Sequence, residues 1–166
     1  MNIGDKAPER LGLNEKGEEV LLSNYRGKKV VLYFYPKDST PGCTAEACSL
    51  RDGMDELVAA GYSVVGISAD SAASHGRFKE KQQLNFPLVA DVDKKTITAF
   101  GVYGEKKMAG RVYMGIIRTT FVIDADGVDV RVALRDAVKL LDHAQTHVVL
   151  IVVEIIHVIS KHGLVG

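Results

Sequence analysis

The chain has 166 residues, 46% of them hydrophobic and 25% charged, with 21 basic side chains balanced by 21 acidic ones. That length fits one domain with a substantial core, and the composition is that of a globular protein. The zero formal charge gives no basic surplus of the kind that nucleic acid or an anionic membrane attracts, so neither is expected as a partner. No stretch reaches the roughly 18 consecutive apolar residues of a membrane span, and Met1 to Lys6 lacks the apolar run of a secretory signal. The expected location is the cytoplasm, where thiols stay reduced and a pair of cysteines is more often reactive or inert than a permanent crosslink.

In chain order, residues 29–35 form a continuous apolar run rich in β-branched and aromatic types, which predicts a buried central strand ended by Pro36. A polar loop leads to Thr40, and a helical pattern then runs from Pro41 to about Ala60, with Gly61 as its stop. Residues 63–68 read as a second buried strand, and Ala72 to Leu84 as a second helix capped by Asp70 or Ser71. Phe86 to Ala90 reads as a short strand and Lys94 to Phe100 as a short helix. Gly101 to Gly110 reads as a polar loop. Strands Tyr113 to Ile123 and Val128 to Leu134 are expected to flank a hairpin turn at Asp124–Gly127. Alternating strands and helices followed by a hairpin predict an α/β three-layer sandwich with a central mixed sheet and flanking helices. Residues 136–147 look helical, and the dense apolar run from Val148 reads as a buried strand or terminal helix. The expected organisation is one domain over 1–147 with an atypical apolar extension over 148–166.

The chemistry centres on Cys43. With Thr40 at the N-cap and Pro41 at the first helical position, Cys43 falls in the first turn. There the unpaired backbone N–H groups and the positive end of the helix dipole stabilise a thiolate, the nucleophilic form of cysteine. Cys48 lies five residues on, so an ideal helix would put the two Cα atoms about 8.7 Å apart. A disulfide needs them within roughly 7 Å, so the pair can close only if the helix unwinds. An inert buried cysteine remains an alternative. Metal binding by Cys-x₄-Cys is another, although the five histidines, His75, His143, His147, His157 and His162, are scattered.

The stretch from Tyr33 to Cys48, YFYPKDSTPGCTAEAC, resembles the active-site segment of the peroxiredoxins, and within them the bacterioferritin comigratory protein or peroxiredoxin Q subfamily. The pattern P-x-x-x-T/S-x-x-C is met by Pro36, Thr40 and Cys43, and the subfamily's optional second cysteine by Cys48. Residues 101–108 and 113–124 extend the resemblance, which covers about residues 2 to 127. It implies a thioredoxin-like fold with an N-terminal hairpin. It further implies that Cys43 is the peroxidatic cysteine and Cys48 the resolving one. Arg118, on the family's arginine-bearing strand, would stand beside the thiolate, with Thr40 orienting the peroxide, Pro36 shielding the sulfur and Glu46 orienting an arginine from behind.

The implied activity is thiol-dependent reduction of hydrogen peroxide and organic hydroperoxides, ending in an intramolecular disulfide recycled by thioredoxin, in a monomer or weak dimer. No metal, haem or flavin is needed, because sulfur is the redox centre. A general thiol–disulfide oxidoreductase is an alternative weakened by the Cys-x₄-Cys spacing. A redox-responsive holdase using the apolar tail is another.

Overall fold

The computed structural model describes residues 4–127. Within them six strands form one mixed sheet in the order β2-β1-β5-β4-β3-β8. The two buried runs anticipated from the sequence are its interior: β3 (Lys29–Phe34) lies parallel to β4 (Tyr62–Ser68), which lies parallel to β5 (Leu88–Ala90). β8 (Thr119–Ile123) runs antiparallel along the other side of β3. The N-terminal hairpin of β1 (Arg10–Asn14) and β2 (Glu19–Leu21) joins the sheet through β1, antiparallel to β5.

Side-chain alternation along β3 shows why its run is apolar throughout. Val31, Tyr33 and Tyr35 point into one buried cluster, with residues of helices α1 (Pro41–Asp52), α2 (Met54–Ala59) and α3 (Ala72–Gln82). Val30, Leu32 and Phe34 point into the opposite cluster, with Ile97 and Phe100 from the region of α4 (Lys95–Ala99). Both faces are covered, so neither can be polar. The expected mixed sheet with helices on both faces is therefore present.

Several boundaries differ from the sequence reading. The helix expected over 41–60 is two helices, because Gly53 leaves helical geometry between Asp52 and Met54. Gly61, with φ +84°, ends the second as expected. Ser71 rather than Asp70 caps α3, accepting a hydrogen bond from the Ser74 amide at 3.2 Å. Helix α3 stops at Gln82, two residues early, as Gln83 turns into the left-handed region. The loop expected over 101–110 is mostly strand β6 (Tyr103–Met108), paired with β7 (Arg111–Ile116) through a two-residue turn at Ala109–Gly110, both at positive φ. The single strand expected over 113–123 is broken at Ile117 and Arg118: its first half is β7 in that separate hairpin, its second half β8 in the main sheet. The Asp124–Gly127 turn forms, with the Gly127 amide donating to the Asp124 carbonyl at 3.1 Å. Its return strand, the 136–147 helix and the 148–166 extension lie outside the described residues.

Candidate active site

Pro41 at the first helical position makes Cys43 the third residue of α1. Its thiol is packed into the core with 2% of the residue exposed. Glu46 sits three residues on, hence on the same helix face. The break between β7 and β8 brings Arg118 across to both. Its Nη2 donates to Cys43 Sγ at 3.1 Å and its Nη1 donates to Glu46 Oε2 at 2.9 Å. The guanidinium fork is thus fixed at one tine by a carboxylate and offers the other to sulfur. Arg118 accordingly lies in the irregular junction, not within a strand, and a non-strand backbone is what turns it out of the sheet.

Charge in this triangle is confined by burial. Desolvation tends to lower the Arg118 pKa, but Glu46 and Cys43 outweigh it and the net direction is up, so the guanidinium stays charged. Burial pushes the Glu46 carboxyl above its ordinary value, with Arg118 pulling the other way. Glu46 Oε1 has no hydrogen-bond partner among the described residues, so Arg118 holds the carboxyl through Oε2. Lys106 adds a second cation near the triangle. Its Nζ donates to the Ile116 carbonyl at 2.9 Å; burial and then Arg118 lower its pKa, while Cys43 raises it.

Thr40 occupies the N-cap position with extended backbone, but its side chain does not cap the helix. Its Oγ1 donates instead to the Lys37 carbonyl at 2.8 Å, inside the loop. Pro36 is half-buried where β3 enters that loop. Cys48 is half-buried further along α1, and its Sγ donates to Gln82 Oε1 at 3.5 Å. Both cysteines are free thiols. The structure therefore joins Cys43, Glu46 and Arg118 in one contact set and places Cys48 in another, against the end of α3.

Three neighbours escaped the sequence reading. Tyr33 lies beneath the site, its ring 5.4 Å from that of Tyr35 and its hydroxyl pKa raised by burial first and then by Glu46 and Cys43. It needs Gly66: a Cβ there would come within 2.8 Å of the Tyr33 ring and hydroxyl. Asp38 and His75 are the others, joined at 2.7 Å. His75 was one histidine among five, and only its three-residue spacing from Phe78, on the buried face of α3, hinted at its place.

Asp38, Asp70 and His75 have potential ligand atoms within 4.8 Å of one another. Those atoms already meet donors, namely Tyr35 Oη, Ser74 Oγ, Ser68 Oγ and the Asp38 amide, which a cation would have to displace.

Residues 3–132 match the model of the AhpC/TSA family. The chain is 50% identical over 127 residues to Peroxiredoxin Bcp of Escherichia coli, covering 76% of this chain and 81% of that one. It is 46% identical over 145 residues to a putative peroxiredoxin of Haemophilus influenzae, covering 87% and 92%. Among solved structures, a cysteine-to-serine mutant of PrxQ from Xylella fastidiosa superposes with TM-score 0.80 at 31% identity, covering 98% of each chain. The bacterioferritin comigratory protein of Xanthomonas campestris, described for its alkyl peroxide reduction activity, superposes at 0.73 and 33% identity, covering 89% and 97%.

Proposed function

This chain belongs to the AhpC/TSA family and is a peroxiredoxin of the Bcp type, and we propose that Cys43 is the thiol through which it reduces hydroperoxides. The Cys43 thiolate attacks the terminal oxygen of ROOH. An S–O bond forms as the O–O bond breaks, the departing RO⁻ takes up a proton to leave as alcohol or water, and sulfenic acid remains on Cys43. The Cys48 thiol then displaces hydroxide from that sulfur, releasing water and forming the Cys43–Cys48 disulfide. A dithiol of the thioredoxin type reduces it by exchange.

One observation carries this reading: Arg118 touches the Cys43 sulfur at 3.1 Å while anchored at 2.9 Å to Glu46. A fixed guanidinium there stands beside the sulfur and can follow negative charge onto the peroxide oxygens as the O–O bond stretches. Glu46 keeps the fork aimed. Thr40, in the loop that begins α1, orients the peroxide through its hydroxyl, and Pro36 limits access of water. Lys106 adds positive potential near the sulfur.

Residues 1–147 serve as one catalytic domain in this reading. The protein works in the cytoplasm as a monomer or weak dimer on hydrogen peroxide and organic hydroperoxides. Among the described residues no helix is long and apolar enough to cross a membrane.

The test is peroxide consumption coupled to thioredoxin and its reductase. Wild type should turn over and Cys43→Ser should not, because serine offers no thiolate to attack oxygen. Near-wild-type turnover by Cys43→Ser would overturn the assignment.

A further inference from the structure

A second buried polar cluster lies beside the thiolate site, on the loop that carries Pro36 and Thr40. Its centre is Asp38, whose side chain is 3% exposed. The Asp38 carboxylate accepts from Tyr35 Oη at 2.6 Å and from Ser74 Oγ at 2.8 Å, and meets His75 Nδ1 at 2.7 Å. The Asp38 amide donates to Asp70 Oδ2 at 2.9 Å. His75, with no exposed surface, places Nε2 at 3.0 Å from the Val89 carbonyl.

These contacts fix the protons. A carbonyl only accepts, so His75 Nε2 carries a hydrogen, and the Nδ1–Oδ2 contact requires one more. The pair therefore shares a proton and is charge-balanced where neither member could sit alone. Burial pushes the Asp38 carboxyl up, but hydrogen bonds from His75 and Tyr35, the charge of His75 and the Ser74 hydroxyl hold it below its ordinary value.

One loop residue is thus fastened to the end of β3, to the turn before α3, to α3 itself and, through His75, to β5. The adjacent Ser39 sits at φ +62°, a conformation a residue with a side chain adopts only under restraint. Asp38 supplies the restraint from one side, and the Thr40 bond to Lys37 from within the loop.

We propose that the Asp38–His75 pair is a positioning element for peroxide attack, locking the 36–40 loop so that Thr40 and Pro36 face the Cys43 thiolate. This rests on the reading of Cys43 and Thr40 given above. Neither member bonds Cys43, Glu46 or Arg118 in the structure, so the pair acts on substrate geometry and leaves thiolate formation alone.

The experiment is single-turnover oxidation of reduced protein by hydrogen peroxide, followed by rapid mixing. It is accompanied by ultraviolet thiolate absorbance and by the rate at which a dithiol reduces the oxidised protein. Asp38→Ala and His75→Phe should slow oxidation by roughly 10- to 100-fold, the size of effect expected for misplaced reacting groups. Thiolate fraction and re-reduction rate should stay at wild-type values, a split that general destabilisation would not produce. Asp38→Asn should keep most of the oxidation rate, because its amide can accept from Tyr35 and donate to a neutral His75. Wild-type oxidation rates in folded Asp38→Ala and His75→Phe would overturn the proposal. So would an Asp38→Asn variant as slow as Asp38→Ala.

Should the first two variants fail to fold, Tyr35→Phe and Ser74→Ala each remove one donor to Asp38. Several-fold slower oxidation in these is expected, and wild-type rates in both would overturn the proposal. Cys43→Ser is assayed in parallel. Activity there would mean that the peroxidatic assignment has failed, whereas an inactive Cys43→Ser beside a fully active His75→Phe would sink the positioning role alone.

Discussion

Helix α1 carries both cysteines, and its two ends are built differently. At the N-terminal end Cys43 is buried with Tyr33 and Tyr35, and Arg118, reaching in from the β7–β8 junction, closes over it while paired with Glu46 of the same helix. At the C-terminal end Cys48 is half-buried and meets Gln82 at 3.5 Å, while Arg51 Nη1 donates to the Gln82 carbonyl at 2.6 Å and Asn85 Nδ2 to the Arg51 carbonyl at 3.3 Å. One turn later the helix loses its geometry at Gly53. The first end is arranged to hold a charge. The second is fastened by a few polar contacts to the end of α3. One helix therefore carries a sulfur held by a fixed guanidinium and, further on, a segment tied to α3 by polar contacts; a disulfide across about 8.7 Å of ideal helix requires that segment to open and to lift Ala47 and Leu50 from the core.

Removing the charge at the rigid end should have the largest effect. Arg118→Met should slow Cys43 oxidation by about 10²-fold, the scale of a lost oxyanion donor, and lower the thiolate absorbance at neutral pH. Unchanged rate and absorbance together would erase the distinction between the two ends.

Glu46→Gln tests the anchor behind the arginine. It replaces an ion-paired hydrogen bond with one from the charged guanidinium to an uncharged amide, a difference of about 1 kcal/mol, and should slow oxidation by roughly fivefold. The measurement is the same single-turnover rate, with thiolate absorbance to separate misaimed arginine from lost thiolate.

At the other end the sign should reverse. Arg51→Ala removes a contact that must break when the helix opens. It should speed conversion of sulfenic acid to disulfide by a few-fold, for about 1 kcal/mol of lost hydrogen bonding. Trapping sulfenic acid at timed intervals with a dimedone-type reagent would measure this. Slower closure would show that the Gln82 contact assists resolution.

The smallest expected effect concerns acid. Asp38 is held below its ordinary value of 3.8, so its contribution to stability is fully present above that value and is lost as pH falls through its lower folded value. Thermal unfolding of wild type and Asp38→Asn should differ by a constant amount from neutral pH down to about 4, then converge in stronger acid. Convergence already near neutrality would contradict the depressed carboxyl.

Much of this was legible in the sequence for identifiable reasons. β3 and β4 are buried on both faces, so their apolar runs are unbroken and read as strands without ambiguity. Pro41 can only start a helix, which placed Cys43 in the first turn. The β6–β7 hairpin was hidden because it stands apart from the sheet. Met108, Val112, Tyr113 and Met114 are exposed, so no polar–apolar alternation marks its faces, and Ala109 occupies a positive-φ turn position where glycine or asparagine would have signalled it. The break at Ile117 and Arg118 was masked by apolar residues on both sides. Gly53 was visible as a poor helix former, yet the pattern resumes at Met54 and hid the interruption. The Asp38–His75 pair spans 37 positions and follows no local spacing, so only the fold could bring it together.

The central claim is that Cys43 is oxidised first and Cys48 closes on it by opening α1. The most direct measurement is peptide mass mapping with amide hydrogen exchange after one equivalent of hydrogen peroxide, on wild type and Cys48→Ser. Wild type should show a Cys43–Cys48 disulfide, loss of protection across residues 42–50 and its return on reduction. Cys48→Ser should show sulfenic acid on Cys43 with protection intact. Oxidation appearing on Cys48 while Cys43 stays reduced, or a disulfide formed with full protection across 42–50, would contradict the account.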